Sequence, residues 1–249
     1  MTTATLEERV TRERGIEFVD MCGDKNPIHR AGDIVQGMHL ASFGIKQFDR
    51  TKPQTKDCRM ERMEIEFKGL ARYDELLLFS TDICQKNDNS LEVKATGTKE
   101  DGKPFIEMRM FYKDNLPNNR LQATEQHDFI YKKTISEGDI EKFCRSINID
   151  FDLFKVAYLK EMFISTFVAG ALCAMIDPST LPQGKKVIFA KQTFDFYEFP
   201  DYDFKEVSLF LKKRKDSEKI THIKEEVYID DYKVIEGSSL LFKVDSLGM

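Results

Sequence analysis

Ile34, Met38, Ala41, Ile45 and Phe48 recur at steps of four, three, four and three, which places them on one face of an α-helix. After them the period shortens to two. Met63, Ile65 and Phe67 alternate with Glu64, Glu66 and Lys68, the pattern of a strand with one buried and one wet face. Leu76 to Ile83, Leu91 to Thr98 and Phe105 to Tyr112 continue the strands, and Asp101-Gly102 supplies a hairpin turn. The second half repeats the order. Phe163, Phe167, Gly170, Ala171 and Met175 mark a helix, followed by strand patterns at Phe194–Phe196, Glu206 to Leu211, Ile220 to Ile229 and Val234 to Phe242. Each half thus predicts a short helix, a longer apolar helix and an antiparallel meander, an α+β layout.

The halves also correspond residue by residue. Phe18 answers to Phe143, Ile65-Glu66-Phe67 to Phe194-Asp195-Phe196, Tyr73-Asp74 to Tyr202-Asp203, and Glu100-Asp101-Gly102-Lys103 to Asp230-Asp231-Tyr232-Lys233, at offsets of 125, 129, 129 and 130. An ordered series of nearly constant offsets favours a duplication. The polar segment Asp114 to Gln126 reads as the connection. The expected units are therefore 1–120 and 121–249.

Chemistry concentrates in one place. The run Phe18-Val19-Asp20-Met21-Cys22-Gly23-Asp24-Lys25-Asn26-Pro27-Ile28-His29 carries a carboxylate and an imidazole five residues apart. Gly23 permits a sharp turn and Pro27 holds Asn26 extended, so the loop can aim Asp24 and His29 at one small volume. An acid and a base sharing one water suit the addition of water to an activated double bond. With Phe18 aligned on Phe143, Ile149 stands opposite Asp24 and Phe154 opposite His29, so one site per chain is expected. Phe151, Phe154, Phe163 and Phe167 of the second half can either line an apolar cavity or fill ordinary core.

The run Gly-Asp-Lys-Asn-Pro-Ile-His resembles the Gly-Asp-x-Asn-Pro-φ-His signature of R-specific enoyl-CoA hydratases and MaoC-like dehydratases, and Ile-Val-Gln-Gly-Met-His-Leu-Ala-Ser after it is similar to the start of that family's central helix. The matched stretch covers about residues 18 to 48. The resemblance implies a hot-dog fold, an antiparallel sheet wrapped around a central helix, and here two in tandem, a double hot dog. It implies reversible hydration of trans-2-enoyl thioesters of coenzyme A or acyl carrier protein to (3R)-3-hydroxyacyl thioesters, with Asp24 and His29 catalytic and no metal or other cofactor. It further implies that the Gly37 N–H receives the thioester oxygen, that Ser42 lies near the dyad, and that Asn26 braces the loop. The connection from His29 to Gly37, seven residues, is shorter than that family's. Two other readings stand beside the lyase: a hot-dog thioesterase, and a non-catalytic acyl-binding or scaffold protein.

Composition narrows the setting. A net charge of −5 over 249 residues argues against sequence-independent nucleic-acid binding. The cluster Lys212-Lys213-Arg214-Lys215 reads as the solvated end of a hairpin; with Arg12 and Arg14 it also suits a phosphate or an acidic carrier. Five cysteines, none in Cys-x-x-Cys spacing, suggest neither a disulfide framework nor a zinc site. The N-terminal residues lack a secretory apolar segment, and Met162 to Ile176 is read as too short for a bilayer. A cytoplasmic protein with no membrane partner is expected. Duplication supplies the partner surface within the chain, and a homodimer of double hot dogs is the further assembly considered.

Overall fold

The computed structural model describes residues 5–51, 58–87, 90–117, 126–155, 157–176, 186–198, 206–230 and 232–245. The first half contains β1 (Thr5–Arg9), α1 (Arg12–Cys22), α2 (Pro27–Arg30), α3 (Gly37–Thr51), β2 (Arg59–Phe67), β3 (Leu76–Asn87), β4 (Ser90–Lys99) and β5 (Pro104–Lys113). The second contains β6 (Phe129–Lys133), α4 (Glu137–Ile147), a 3-10 turn at Phe151–Lys155, α5 (Ala157–Ile176), β7 (Lys186–Phe196), β8 (Val207–Asp216), β9 (Ile220–Ile229) and β10 (Tyr232–Val244).

All ten strands join one antiparallel sheet in the order β1-β3-β4-β5-β2-β7-β10-β9-β8-β6. Outward from the centre, each half runs second, fifth, fourth, third and first strand, so the two halves share one topology. They meet where β2 pairs with β7. There Glu64 faces Thr193, its own counterpart at the offset of 129 read from sequence, so a pseudo-two-fold axis passes through this pair. The boundary proposed near residue 120 falls within 118–125, outside the described residues, as does Tyr202-Asp203.

Local chemistry sets the helix ends. Thr11 caps α1 by accepting from the Arg14 N–H, and Gly23 closes it in the left-handed region at φ 77°. Ser136 and Asp139 form a capping box on α4, and Asn148 closes that helix, also left-handed, at φ 55°. Gly23 and Asn148 are 125 residues apart, the offset of Phe18 and Phe143, whose rings lie 6.4 Å apart where α1 packs on α4. The Asp101-Gly102 hairpin has Gly102 at φ 80°.

Helix α3 rests on β3, β4 and β5, and α5 on β2, β6 and β8. Leu40, Ala41, Phe43, Ile45 and Phe48 of α3 are buried, as is nearly every residue from Tyr158 to Cys173. Helix α5 corrects one reading: it spans 20 residues, long and apolar enough by length and composition to cross a membrane. Of its most apolar window, 78% is buried within the protein, as in the core helix of a globular fold. Strands β1 and β6 are absent from the sequence-based assignment. Each has five residues and lies at an end of the sheet, where short, charged strands blunt an edge. Glu8 of β1 points inward to an ion pair with Lys46 of α3. Lys213, Arg214 and Lys215 are exposed at the outer end of β8.

Candidate active site

The site begins where α1 stops. With Gly23 left-handed, the Asp24 N–H returns to the Val19 carbonyl (3.0 Å), and the chain turns into the sheet's covered interior. A Cβ at Gly23 would also lie 2.7 Å from the Tyr131 hydroxyl. Asp24 has no exposed surface. Its Oδ1 accepts from the Asn26 N–H (2.8 Å), closing an Asx-turn, and from the Cys173 thiol (2.9 Å). Asn26 then caps α2, its Oδ1 accepting from the Ile28 N–H, while its Nδ2 donates to the Val187 carbonyl of β7 (3.1 Å). The loop is thereby tied to the second half of the chain.

Pro27 opens α2, and its single turn carries His29 back toward Asp24. His29 Nδ1 lies 3.0 Å from the Ile34 carbonyl, which can only accept, so Nδ1 holds the ring proton and Nε2 presents a lone pair. Nε2 stands 3.8 Å from Asp24 Oδ2, which has no hydrogen-bond partner among the described residues. That gap is too long for a direct hydrogen bond and suits a water donating to both atoms.

His29 also lines a narrow cleft with Ile28, Val35, Gly37, Phe67 and Phe189. Apart from His29 the cleft is lined by glycines and apolar side chains. The Phe67 and Phe189 rings, 6.1 Å apart, supply aromatic wall. Gly37 is the first residue of α3, where backbone N–H groups have no acceptor within the helix. A Cβ there would meet the Phe67 ring at 2.7 Å, so glycine is also what lets that ring close over the helix start. The short connection after His29 is pinned by Arg12, which donates to the Gly32 and Arg30 carbonyls, and by a bridge from Ile34 to Arg72.

Other candidates lie elsewhere. Ser42 is buried, and its hydroxyl donates to the Met38 carbonyl one turn back (2.8 Å), so the structure gives it a contact within α3 and none with the dyad. Arg12 and Arg14 are engaged with protein carbonyls, Arg14 with those of Ser146 and Arg9 and with the Glu8 carboxylate. His39 stacks on Phe18 at 4.3 Å and its Nε2 donates to the Ser146 carbonyl; burial pulls its pKa down to about 3, a neutral core imidazole. Among the described residues no cluster of three or more His, Cys, Asp or Glu is placed to hold a metal ion.

The second half's aromatics settle as core. Phe154 and Phe163 lie 5.3 Å apart and Phe163 and Phe167 5.1 Å apart, edge to face, whereas Phe151 is exposed at 41%. Phe154, Phe163 and Phe167 are buried against one another, the core alternative of the two. What sequence reasoning missed is the second half's contribution to the first: Cys173 and Val187 reach Asp24 and Asn26 only through tertiary packing, for which spacing carries no signal.

No protein-family model matches the sequence, and no curated protein sequence matches it. Solved structures do match. The MaoC-like dehydratase from Phytophthora capsici superposes with a TM-score of 0.67 at 12% identity, over 98% of this chain and 96% of that one. The double hot-dog fold is shown. The 12:0-ACP thioesterase from Umbellularia californica gives 0.66 at 7% identity, over 97% and 94%. The full-length peroxisomal multifunctional enzyme type 2 from Drosophila melanogaster gives 0.64 at 14% identity, over 96% of this chain and 48% of that one. The hot-dog neighbours thus include both dehydratases and thioesterases.

Proposed function

We propose that the protein is a hydro-lyase that reversibly hydrates trans-2-enoyl thioesters, with coenzyme A or acyl carrier protein as the carrier. The observation that carries this reading is the pair Asp24 Oδ2 and His29 Nε2, two buried acceptors 3.8 Å apart beside the opening residue of α3. One water can donate to both. As its oxygen bonds to C3, His29 Nε2 takes one water proton and returns it to C2, while Asp24 orients the hydroxyl that remains. The thioester oxygen gains charge in that step, and the Gly37 N–H at the positive end of α3 is suited to receive it. Atoms balance, and the dyad ends as it began. Residues 1–120 carry the chemistry on this reading, and residues 121–249 complete the sheet and brace the loop. An acyl chain entering the cleft beside Gly37 would run past the Phe67 and Phe189 rings that line it.

The thioesterase neighbours give the alternative its weight, and one experiment separates the readings. Crotonyl-CoA is incubated with the protein while enoyl absorbance and free thiol are both followed. The proposal expects absorbance to fall with no thiol released. Thiol release would make the protein a thioesterase, and neither change would leave an acyl-binding module.

A further inference from the structure

The second half sends two groups into the first half's site. One is the Val187 carbonyl that receives Asn26 Nδ2. The other is the Cys173 thiol near the end of α5, 2.9 Å from Asp24 Oδ1. Gly170, one turn earlier, makes this approach possible. A Cβ there would sit 1.9 Å from the Cys22 carbonyl oxygen, so the end of α1 rests directly on α5. Among the described residues Asp24 Oδ1 therefore has two donors, one from its own loop and one from α5, and Oδ2 has none. That asymmetry fixes the carboxylate plane and leaves Oδ2 facing His29.

We infer that Cys173 is a positioning residue for the proposed hydration, on which this inference rests: its S–H holds Asp24 by Oδ1 so that Oδ2 faces the shared water and His29. Burial, and next the charge of Asp24, push the Cys173 thiol far above its usual range, so the sulfur keeps the proton it donates. The titratable and charged groups around Asp24 are His29 and Arg30 of α2, the latter donating to the Asp24 backbone carbonyl (2.9 Å), Cys22 of α1, Cys173 of α5 and Tyr73 ahead of β3, with the Lys133 ammonium of β6 behind Cys22. Cys22 and Tyr73 are themselves pushed up by burial and stay neutral, Tyr73 to about 12. The half that lacks the dyad thus helps aim it.

The test compares Cys173→Ala with Cys173→Ser, which keeps a donor. Cys173→Ala should lower kcat about tenfold, leave KM within about twofold, and move the acid limb of the kcat/KM profile up by about half to one pH unit. Cys173→Ser should restore most of both. Independently of turnover, the infrared S–H stretch of Cys173, isolated as the wild type minus Cys173→Ser difference, should lie at the low frequency of a thiol bonded to a carboxylate and rise in Asp24→Asn. Wild-type kcat and profile in Cys173→Ala would overturn the inference. So would a Cys173→Ser enzyme as impaired as Cys173→Ala, or an S–H band at the position of an unbonded thiol. If the wild type hydrates no enoyl thioester, the hydration reading falls, and the S–H band alone decides whether Cys173 holds Asp24.

Discussion

The turn after α1 and the turn after α4 start alike and end differently. Both leave their helix through a left-handed residue, Gly23 in one and Asn148 in the other. Both then run into a short helical turn on the way to a long buried helix. In the second half, Ile149 and Phe154 pack against the core, Phe154 with Phe143 and Phe163 at 6.1 and 5.3 Å. In the first, the same places hold Asp24 and His29, both buried, and Asp24 Oδ2 has no hydrogen-bond partner among the described residues. A buried acceptor without a partner costs about 1–3 kcal/mol, more if charged. The second half shows that this turn does not need that cost in order to fold. A polar pair where an apolar one suffices for the fold is what the proposed site would require.

The comparison breaks most readily at the dyad. Asp24→Asn and His29→Gln should each lower kcat/KM for crotonyl-CoA by about 10²- to 10⁴-fold, with circular dichroism of the purified variants unchanged. Near-wild-type turnover in either would remove that residue from the chemistry. The counterpart of His29 should behave the opposite way. Phe154→Ala should cost about 3–5 kcal/mol in urea denaturation through the cavity it leaves, while the folded fraction turns over within about threefold of wild type.

A third prediction concerns a buried carboxyl in the second half. Glu225 of β9, which by the offset of 130 stands opposite Ala95 of β4, has no exposed surface, and burial pushes its pKa from 4.5 up to about 8, the Ser239 hydroxyl pulling the other way. Between those values the folded protein holds a proton that the unfolded chain has lost, so the Glu225 contribution to stability falls as pH rises from 4.5 to about 8. Glu225→Gln should remove that slope, read as the difference between wild-type and variant denaturation at pH 5 and pH 8. An unchanged difference would mean the carboxyl titrates normally. The smallest effect belongs to Ser42→Ala. Its hydroxyl bonds back within α3, so stability should change by less than about 1 kcal/mol and turnover not at all. A large loss of kcat there would bring Ser42 back to the dyad.

How much of this was legible in the chain follows from the range of each interaction. Period-two patterns placed β2 to β5 and β7 to β10, and the offset of 129 anticipated the register at which Glu64 meets Thr193. Strands β1 and β6 were invisible because five residues with charges such as Glu7, Glu8 and Arg9 give no period to read. Spacing put Ser42 on the helix one turn and a residue past Gly37, but could not say that its hydroxyl would fold back on Met38. The Asp-x-Asn-Pro-x-x loop announced its turn, because Asx-turn and cap are local bonds. Cys173 and Val187 lie about 150 and 160 residues from the loop they support, and nothing local marks them.

The most direct test copies the second half into the first. Asp24→Ile combined with His29→Phe reproduces the residues at 149 and 154. If the two turns share a fold and only one carries chemistry, this variant should keep wild-type circular dichroism and a thermal midpoint within about 5 °C, and should lose all hydration of crotonyl-CoA. Hydration at the wild-type rate in the folded double variant would place the chemistry elsewhere and contradict the account.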